Sequence, residues 1–268
     1  MITAGVVGNP IGHSLSPAIH RAWIAAAGIE AEYHPLLSPL DGFAAVVADL
    51  RAKGVRGVNV TIPFKEQALA LADEASDLAR LAGAANLLIF ENGKVRADNT
   101  DGPGLLAALK TRAGFDPTHG PAVILGAGGA ARGAAAALML AGSPQVRIVN
   151  RTPGRARRLA ASLGAGVVAM ETEEAFKGAA VIVNATSLGL GGGEGPRTAL
   201  SLAPDAVVMD MVYKPLVTSF LYRAAQRGHP TVDGLEMLIG QARPSFEAFF
   251  RMAPPDIDVR RVALEAMT

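Results

Sequence analysis

The sequence predicts an α/β protein of two domains, the second built on a parallel sheet. Three observations carry that expectation. From Pro121 onward, apolar runs of four to six residues alternate with helix-length segments, the pattern of parallel βαβ units. The first hundred residues instead mix strand and helix and end in a hairpin signal at Asn92-Gly93. The length, 268 residues with half of them hydrophobic and 18% charged, suits one or two domains with a sizeable core.

In order along the chain, residues 4–7 read as a short buried strand. Residues 17–27 read as a helix, with Ser16 as N-cap, Pro17 at the first helical position and Gly28 as the stop. A strand over 31–36 precedes a helix over 40–53, where Phe43, Val46, Val47 and Leu50 recur at helical spacing. Residues 57–61 form a strand and 65–73 a helix; 85–91 and 94–98 are the two arms of the hairpin. Beyond Pro121, the strands are 122–125, 145–149, 180–184 and 206–211. Helices are expected at 130–141, near 154–163, and at 238–250, where Phe246, Phe249 and Phe250 make an apolar stripe.

Composition excludes several classes. Lys plus Arg is 25 and Asp plus Glu 24, so the net charge of +1 lacks the basic surplus that phosphate backbones demand. With no cysteine, disulfides, thiol chemistry and Cys-ligated zinc are out. No apolar run reaches the roughly 18–20 residues of a membrane span, and the first residues lack the basic stretch of a signal peptide. The expectation is a cytoplasmic enzyme acting on a small molecule, without nucleic-acid or membrane partners. Charge is uneven: residues 1–101 carry 8 basic and 11 acidic side chains, residues 102–239 carry 13 and 9.

Strand 122–125 runs into Gly126-Ala127-Gly128-Gly129-Ala130-Ala131, a G-x-G-x-x-A turn. Gly126 permits the tight turn, Gly128 lets backbone approach a diphosphate, and Ala131 lets the helix pack against the strand. A diphosphate would sit on the helix N-terminus. That makes 102–239 a Rossmann-type dinucleotide domain. The next strand ends Val149-Asn150-Arg151-Thr152, with no acid to hold a ribose 2′-hydroxyl, and Arg155, Arg157 and Arg158 follow. Arginine grips a 2′-phosphate, which an acid would repel. The reading is NADP, held by Arg151 first and Arg155 second, with Arg157 and Arg158 as a solvated helix face.

The first third holds four polar segments: Gly12–Pro17 with two serines, Asn59–Lys65, Ala84-Ala85-Asn86 and Asp98–Gly102. Together with Asn184-Ala185-Thr186-Ser187, Met211-Val212-Tyr213 and the stretch from Asp233-Gly234-Leu235 to Gln241, they give the chain its resemblance to the shikimate dehydrogenases along essentially its whole length. The resemblance implies NADP-dependent, reversible reduction of 3-dehydroshikimate to shikimate, in aromatic amino-acid biosynthesis. It implies that Lys65 and Asp101 flank the reacting oxygen, Lys65 supplying the proton and Asp101 holding it. Ser14 and Ser16, with Tyr213, would bind the substrate carboxylate; Thr61, Asn86 and Gln241 would bind the ring hydroxyls. Gly126 to Ala131, Asn150, Arg151, Thr152, Arg155, Met211 and Gly234 would hold NADP, and no metal is needed. The substrate and catalytic domain would comprise 1–101 plus 240–268, with the site in a cleft against 102–239 and the protein a monomer or homodimer.

The sequence departs from the family pattern at Leu87, where Thr is usual, at Glu236, where Gly is common, and in the glycine-rich loop from Gly191 to Gly195. Two alternatives stand beside the main reading. One is a quinate/shikimate dehydrogenase of broader substrate or cofactor range, and the other a catalytically silent sensor of shikimate-like ligands.

Overall fold

In the computed structural model, which describes residues 1–196 and 202–267, the chain divides into two units. One comprises Met1–Asp101 and Leu238–Thr268, the other Gly102–Met237. Each is an α/β layer structure around a six-stranded sheet.

The first unit contains β1 (Ile2–Gly8), α1 (Ser16–Ala27), β2 (Ala31–Leu37), α2 (Phe43–Ala52), β3 (Gly57–Val60), α3 (Lys65–Ala70), β4 (Glu74–Ala75), α4 (Asp77–Ala82), β5 (Leu87–Glu91) and β6 (Lys94–Asp98). The sheet order is β2-β1-β3-β5-β6-β4. Strands β2, β1 and β3 are mutually parallel, and the β5–β6 hairpin begins antiparallel to β3. Asn92 and Gly93 both take positive φ, as the tight turn between Glu91 and Lys94 demands. One face of this sheet is covered by Phe43, Val47 and Leu50 of α2 with Phe64 and Ala68. In an aromatic cluster, Trp23 and His20 of α1 meet Tyr33 of β2 and Phe246 and Phe249. The Phe stripe therefore belongs to the core.

Ser16 is the first residue of α1 rather than its cap. Leu15 occupies the cap position and no side chain caps that end. The acceptor has moved two residues back: Ser14 Oγ accepts from the Ser16 N–H at 3.3 Å. Helix α3 is shorter than the periodicity of 65–73 suggests, because the Asp73 N–H is taken by the Val95 carbonyl at 2.9 Å as the chain enters β4.

The second unit opens with α5 (Asp101–Ala113), whose first residue is the last of the first unit's opening segment. Its elements are β7 (Ala122–Leu125), α6 (Gly129–Leu140), β8 (Val146–Val149), α7 (Pro153–Leu163), β9 (Val167–Ala169), α8 (Thr172–Phe176), β10 (Val181–Asn184), β11 (Val207–Asp210), α9 (Ser219–Ala225) and β12 (Thr231–Val232). All pairs are parallel in the order β12-β11-β10-β7-β8-β9. This is the doubly wound order of a Rossmann fold, and the order reverses between β7 and β10. Ligands of such sheets bind beyond the carboxyl ends of the strands at that reversal. Helix α10 (Gly234–Phe250) returns the chain to the first unit, and α11 (Val259–Glu265) packs on α1.

Candidate active site

Helix α3 opens with Lys65 and α5 opens with Asp101. An acid at a helix N-terminus is favoured by the helix dipole; a lysine there is not. The local rule that Lys65 breaks marks a residue placed for something other than helix stability. Lys65 Nζ donates to Asp101 Oδ2 at 2.5 Å, with both side chains about one quarter exposed, 29% and 24%. The other carboxylate oxygen accepts from Asn86 Nδ2 at 2.9 Å, and the Asp101 N–H donates to Asn99 Oδ1 at 3.1 Å. Asp101 is thus held at both oxygens and at its backbone.

Asn86, 2% exposed, is nearly spent as a donor. Its amide also points at Thr100 Oγ1 at 2.9 Å and Gln241 Oε1 at 3.3 Å, while its Oδ1 accepts from the Thr100 N–H at 2.7 Å. Gln241 Nε2 donates to the Leu238 carbonyl at 2.8 Å, leaving one N–H for another partner. Lys65, Asp101, Asn86 and Gln241 therefore form one hydrogen-bonded group. The Ala85 N–H, bonded to the Lys65 carbonyl at 2.9 Å, ties their segments together.

Thr61 lies on the turn between β3 and α3, where its carbonyl accepts from the Phe64 N–H at 3.0 Å. Its methyl carbon packs on Gly8, so close that a side chain at that glycine would clash. The Asn9 N–H donates to the Ile62 carbonyl at 3.0 Å, which seats the loop leading to Ser14 and Ser16 beside this turn. Ser14 is half-buried and Ser16 buried; among the described residues no hydrogen bond joins either to the Lys65 group. Leu87 does not face the group. Side chains alternate along a strand, and Leu87 lines a cavity of about 450 Å³ with Ile89, Glu91 and Arg96. Its departure from the family pattern leaves the Asn86 side alone.

In the second unit the glycine turn lies at the carboxyl end of β7. Gly126 has φ of +123°, and a Cβ there would come within 3.0 Å of the Ala185 carbonyl, so a side chain is doubly excluded. Gly128 caps α6 with no side-chain partner, and Gly128, Gly129 and Ala130 are exposed with open space above both glycines. Ala131 is buried. The cradle thus offers uncapped helix N–H groups and no obstructing side chain. At the end of β8, Asn150 Nδ2 donates to the Thr152 carbonyl at 3.0 Å, and Arg151, Thr152 and Arg155 are exposed. The donor set, backbone amides and guanidinium groups without a nearby acid in 150–158, fits a phosphorylated dinucleotide.

Sequence reasoning missed Asp210, which is fully buried at the end of β11. Its carboxylate accepts from Asn184 Nδ2 at 2.8 Å, the Val212 N–H at 3.0 Å and Thr218 Oγ1 at 2.6 Å. Burial pushes its pKa up, and these three donors oppose the rise. The cluster fixes the segments that carry Asn184 and Met211-Val212-Tyr213. Burial also raises the pKa of Tyr213, which keeps its phenol a proton donor. Gly234 backs onto Met211, where a Cβ would overlap the Met211 carbonyl oxygen. Gly234→Ala should therefore lower the stability of the protein by about 1–3 kcal/mol, the usual size of an overpacking penalty. Chemical denaturation checks it; unchanged stability would mean that the backbone yields there.

A family model described as the shikimate dehydrogenase substrate binding domain matches residues 6–88, and one described as a coenzyme F420-dependent NADP oxidoreductase matches 122–189. The chain is 61% identical to a shikimate dehydrogenase (NADP(+)) of Caulobacter vibrioides (strain NA1000 / CB15N) over 274 residues, covering 99% of this chain and 96% of that one. The crystal structure of shikimate 5-dehydrogenase from Thermus thermophilus in complex with NADP(H) and shikimate has a TM-score of 0.91 at 38% identity, covering 99% of this chain and 100% of that one. The ligand-free 5-ketofructose reductase of Gluconobacter sp. strain CHM43 has a TM-score of 0.89 at 33% identity, covering 99% and 97%.

Proposed function

The chain belongs to the shikimate dehydrogenase family, and on that premise we infer that it is an NADP-dependent oxidoreductase that reversibly reduces 3-dehydroshikimate to shikimate, in the route to chorismate and the aromatic amino acids. The observation that carries the reading is the Lys65–Asp101 pair, joined to Asn86 and Gln241 in one group. Shared fold does not choose the substrate, since a ketofructose reductase has the same architecture; the residues of the group do. A sensor without catalysis has no need of a lysine set against the helix dipole and pinned by a carboxylate.

When bound, NADPH supplies the hydride. The chain supplies the rest. Lys65 Nζ stands at the reacting oxygen, stabilises negative charge developing there and delivers a proton to it. Asp101 holds the ammonium in place and accepts from a neighbouring hydroxyl. Gln241 offers its free N–H to a ring oxygen, and Thr61 offers its hydroxyl. Ser14 and Ser16, with Tyr213 as a protonated phenol, take the carboxylate. A site built for several hydroxyls rejects analogues that lack them. Gly126 to Ala131, Met211 and Gly234, with Asn150, Arg151, Thr152 and Arg155, would hold the dinucleotide, the arginines answering its 2′-phosphate. In this assignment 1–101 plus 240–268 is the substrate domain and 102–239 the NADP domain. The enzyme is cytoplasmic, where NADPH and the substrate are made, and acts as a monomer or homodimer, which sedimentation would decide.

Initial rates with shikimate or quinate, crossed with NADP or NAD, test the reading; oxidation of shikimate by NADP should be the fastest pairing. Arg151→Ala should raise KM for NADP about ten- to a hundredfold and leave KM for NAD nearly unchanged, because one charge-assisted contact worth roughly 1.5–3 kcal/mol is lost. Equal use of NAD by the wild type would overturn the assignment of Arg151.

A further inference from the structure

Ser245 is fully buried in the middle of α10, one turn beyond Gln241. Helix propensity does not explain it. A serine there competes with the helix by bonding the carbonyl four residues back, and its Oγ does donate to the Gln241 carbonyl at 3.1 Å. The adjoining Pro244 also lies inside the helix, and the next residue, Phe246, is part of the aromatic core. Alanine would suit this position better on local grounds, so the reason for the hydroxyl lies in its partners.

Those partners come from two other segments. Asn59 Nδ2 donates to Ser245 Oγ at 2.8 Å, and Thr100 Oγ1 lies 3.4 Å away. Asn59 is itself fully committed: its second N–H goes to the Asn86 carbonyl at 3.1 Å and its Oδ1 accepts from Tyr33 Oη at 2.8 Å. Because a carbonyl can only accept, the amide orientation of Asn59 is forced, and Tyr33 must be the donor to it. A buried line of hydrogen bonds thus runs from Tyr33 through Asn59 to Ser245. Beyond Ser245 it reaches Thr100, which bonds Asn86, which bonds Asp101. Ser245 is the point at which α10 is fastened both to β3 and to the segment entering α5.

We infer that Ser245 is a positioning residue for the substrate site: its hydroxyl seats α10 at the depth where Gln241, on the same helix face, meets Asn86 and Thr100. The inference rests on the proposed function, and it adds a residue that touches no substrate. Without the hydroxyl, Asn59 keeps a buried N–H with no acceptor, and α10 is free to shift until that donor finds one. The Gln241 carboxamide would then no longer meet the ring oxygen it serves.

The test is steady-state kinetics on the full-length protein with shikimate and NADP. Ser245→Ala should raise KM for shikimate about tenfold, leave kcat within about threefold and leave KM for NADP unchanged, in keeping with loss of one hydrogen bond and a displaced donor. A loss of stability alone would reduce the active fraction, and so apparent kcat, without moving KM. The second measurement is coupling: in a Gln241→Ala background, Ser245→Ala should change KM less than about twofold, since the residue acts through Gln241. If Ser245→Ala does not fold, Ser245→Cys, close in volume and a poor hydrogen-bonder, must show the same pattern at smaller size. An unmoved KM, or an equal rise in both backgrounds, overturns the inference while the wild type remains a shikimate dehydrogenase. A wild type that turns over no shikimate overturns both.

Discussion

Replacing Lys65 by alanine should lower kcat by about 10²–10⁴-fold, the usual contribution of a positioned acid or base, and change KM for shikimate only modestly. The asymmetry follows from where the ammonium acts. Charge on the reacting oxygen is largest in the transition state, so the interaction is worth most there and a loss appears in kcat. Asp101→Asn tests the partner. It keeps the size, but the charge is gone and one carbonyl oxygen is left for the two donors that Asp101 now serves, Lys65 Nζ at 2.5 Å and Asn86 Nδ2 at 2.9 Å; kcat should fall as well. Both changes lie outside the glycine turn and the arginines that follow β8, so NADP affinity, read by fluorescence titration, should survive them. A folded Lys65→Ala protein with near-normal kcat would return Lys65 to the status of a surface lysine.

The second large effect concerns acid stability. His20 is wholly buried against Tyr33, the rings stacked at 4.1 Å, and neither ring nitrogen has a hydrogen-bond partner among the described residues. Burial lowers its pKa from 6.5 to about 3. Between those values the unfolded chain binds a proton at this residue and the native chain does not. Stability therefore falls as pH drops through that window, by up to about 1.4 kcal/mol per pH unit from this residue. Between neutral pH and about pH 4.5 the loss amounts to roughly 2–3 kcal/mol. His20→Phe removes the proton site and the two unpaired nitrogens. Its denaturation midpoint should decline less steeply with acid than the wild type's, and identical slopes would show that protonation of His20 is not coupled to unfolding.

Much of the fold was legible because the signals were local. The apolar runs of β7, β8, β10 and β11 and the Asn92-Gly93 turn are written in neighbouring residues, and so is the glycine turn before α6. What escaped was set by distant partners. β4 and β12 are two residues each, too short for any periodicity, and exist because an adjacent strand edge accepts them. Helix α10 begins at Gly234, four residues before its amphipathic pattern becomes visible, since Gly234 is selected by contact with Met211. The site divided the same way. Lys65 and Asp101 stand in recognisable segments, whereas Ser245 looks like an ordinary helix serine until Asn59, 186 residues earlier, is seen to donate to it. An Asn between two valines in β3 was the one hint available, a polar side chain where the strand is otherwise apolar.

The interrupted make-up of the first unit has a consequence for how the protein is born. Its aromatic cluster needs Phe246 and Phe249, which leave the ribosome long after Trp23 and Tyr33. At about 5–20 residues per second, some ten to forty seconds separate the two ends of that cluster. During this interval the nascent chain presents an unfinished apolar surface while the uninterrupted stretch Gly102–Met237 has all of its own residues in hand and can fold. A ribosome halted before codon 246 would leave Trp23 and Tyr33 without Phe246 and Phe249, so chaperone demand should be concentrated on the amino-terminal segment and fall once α10 has been made.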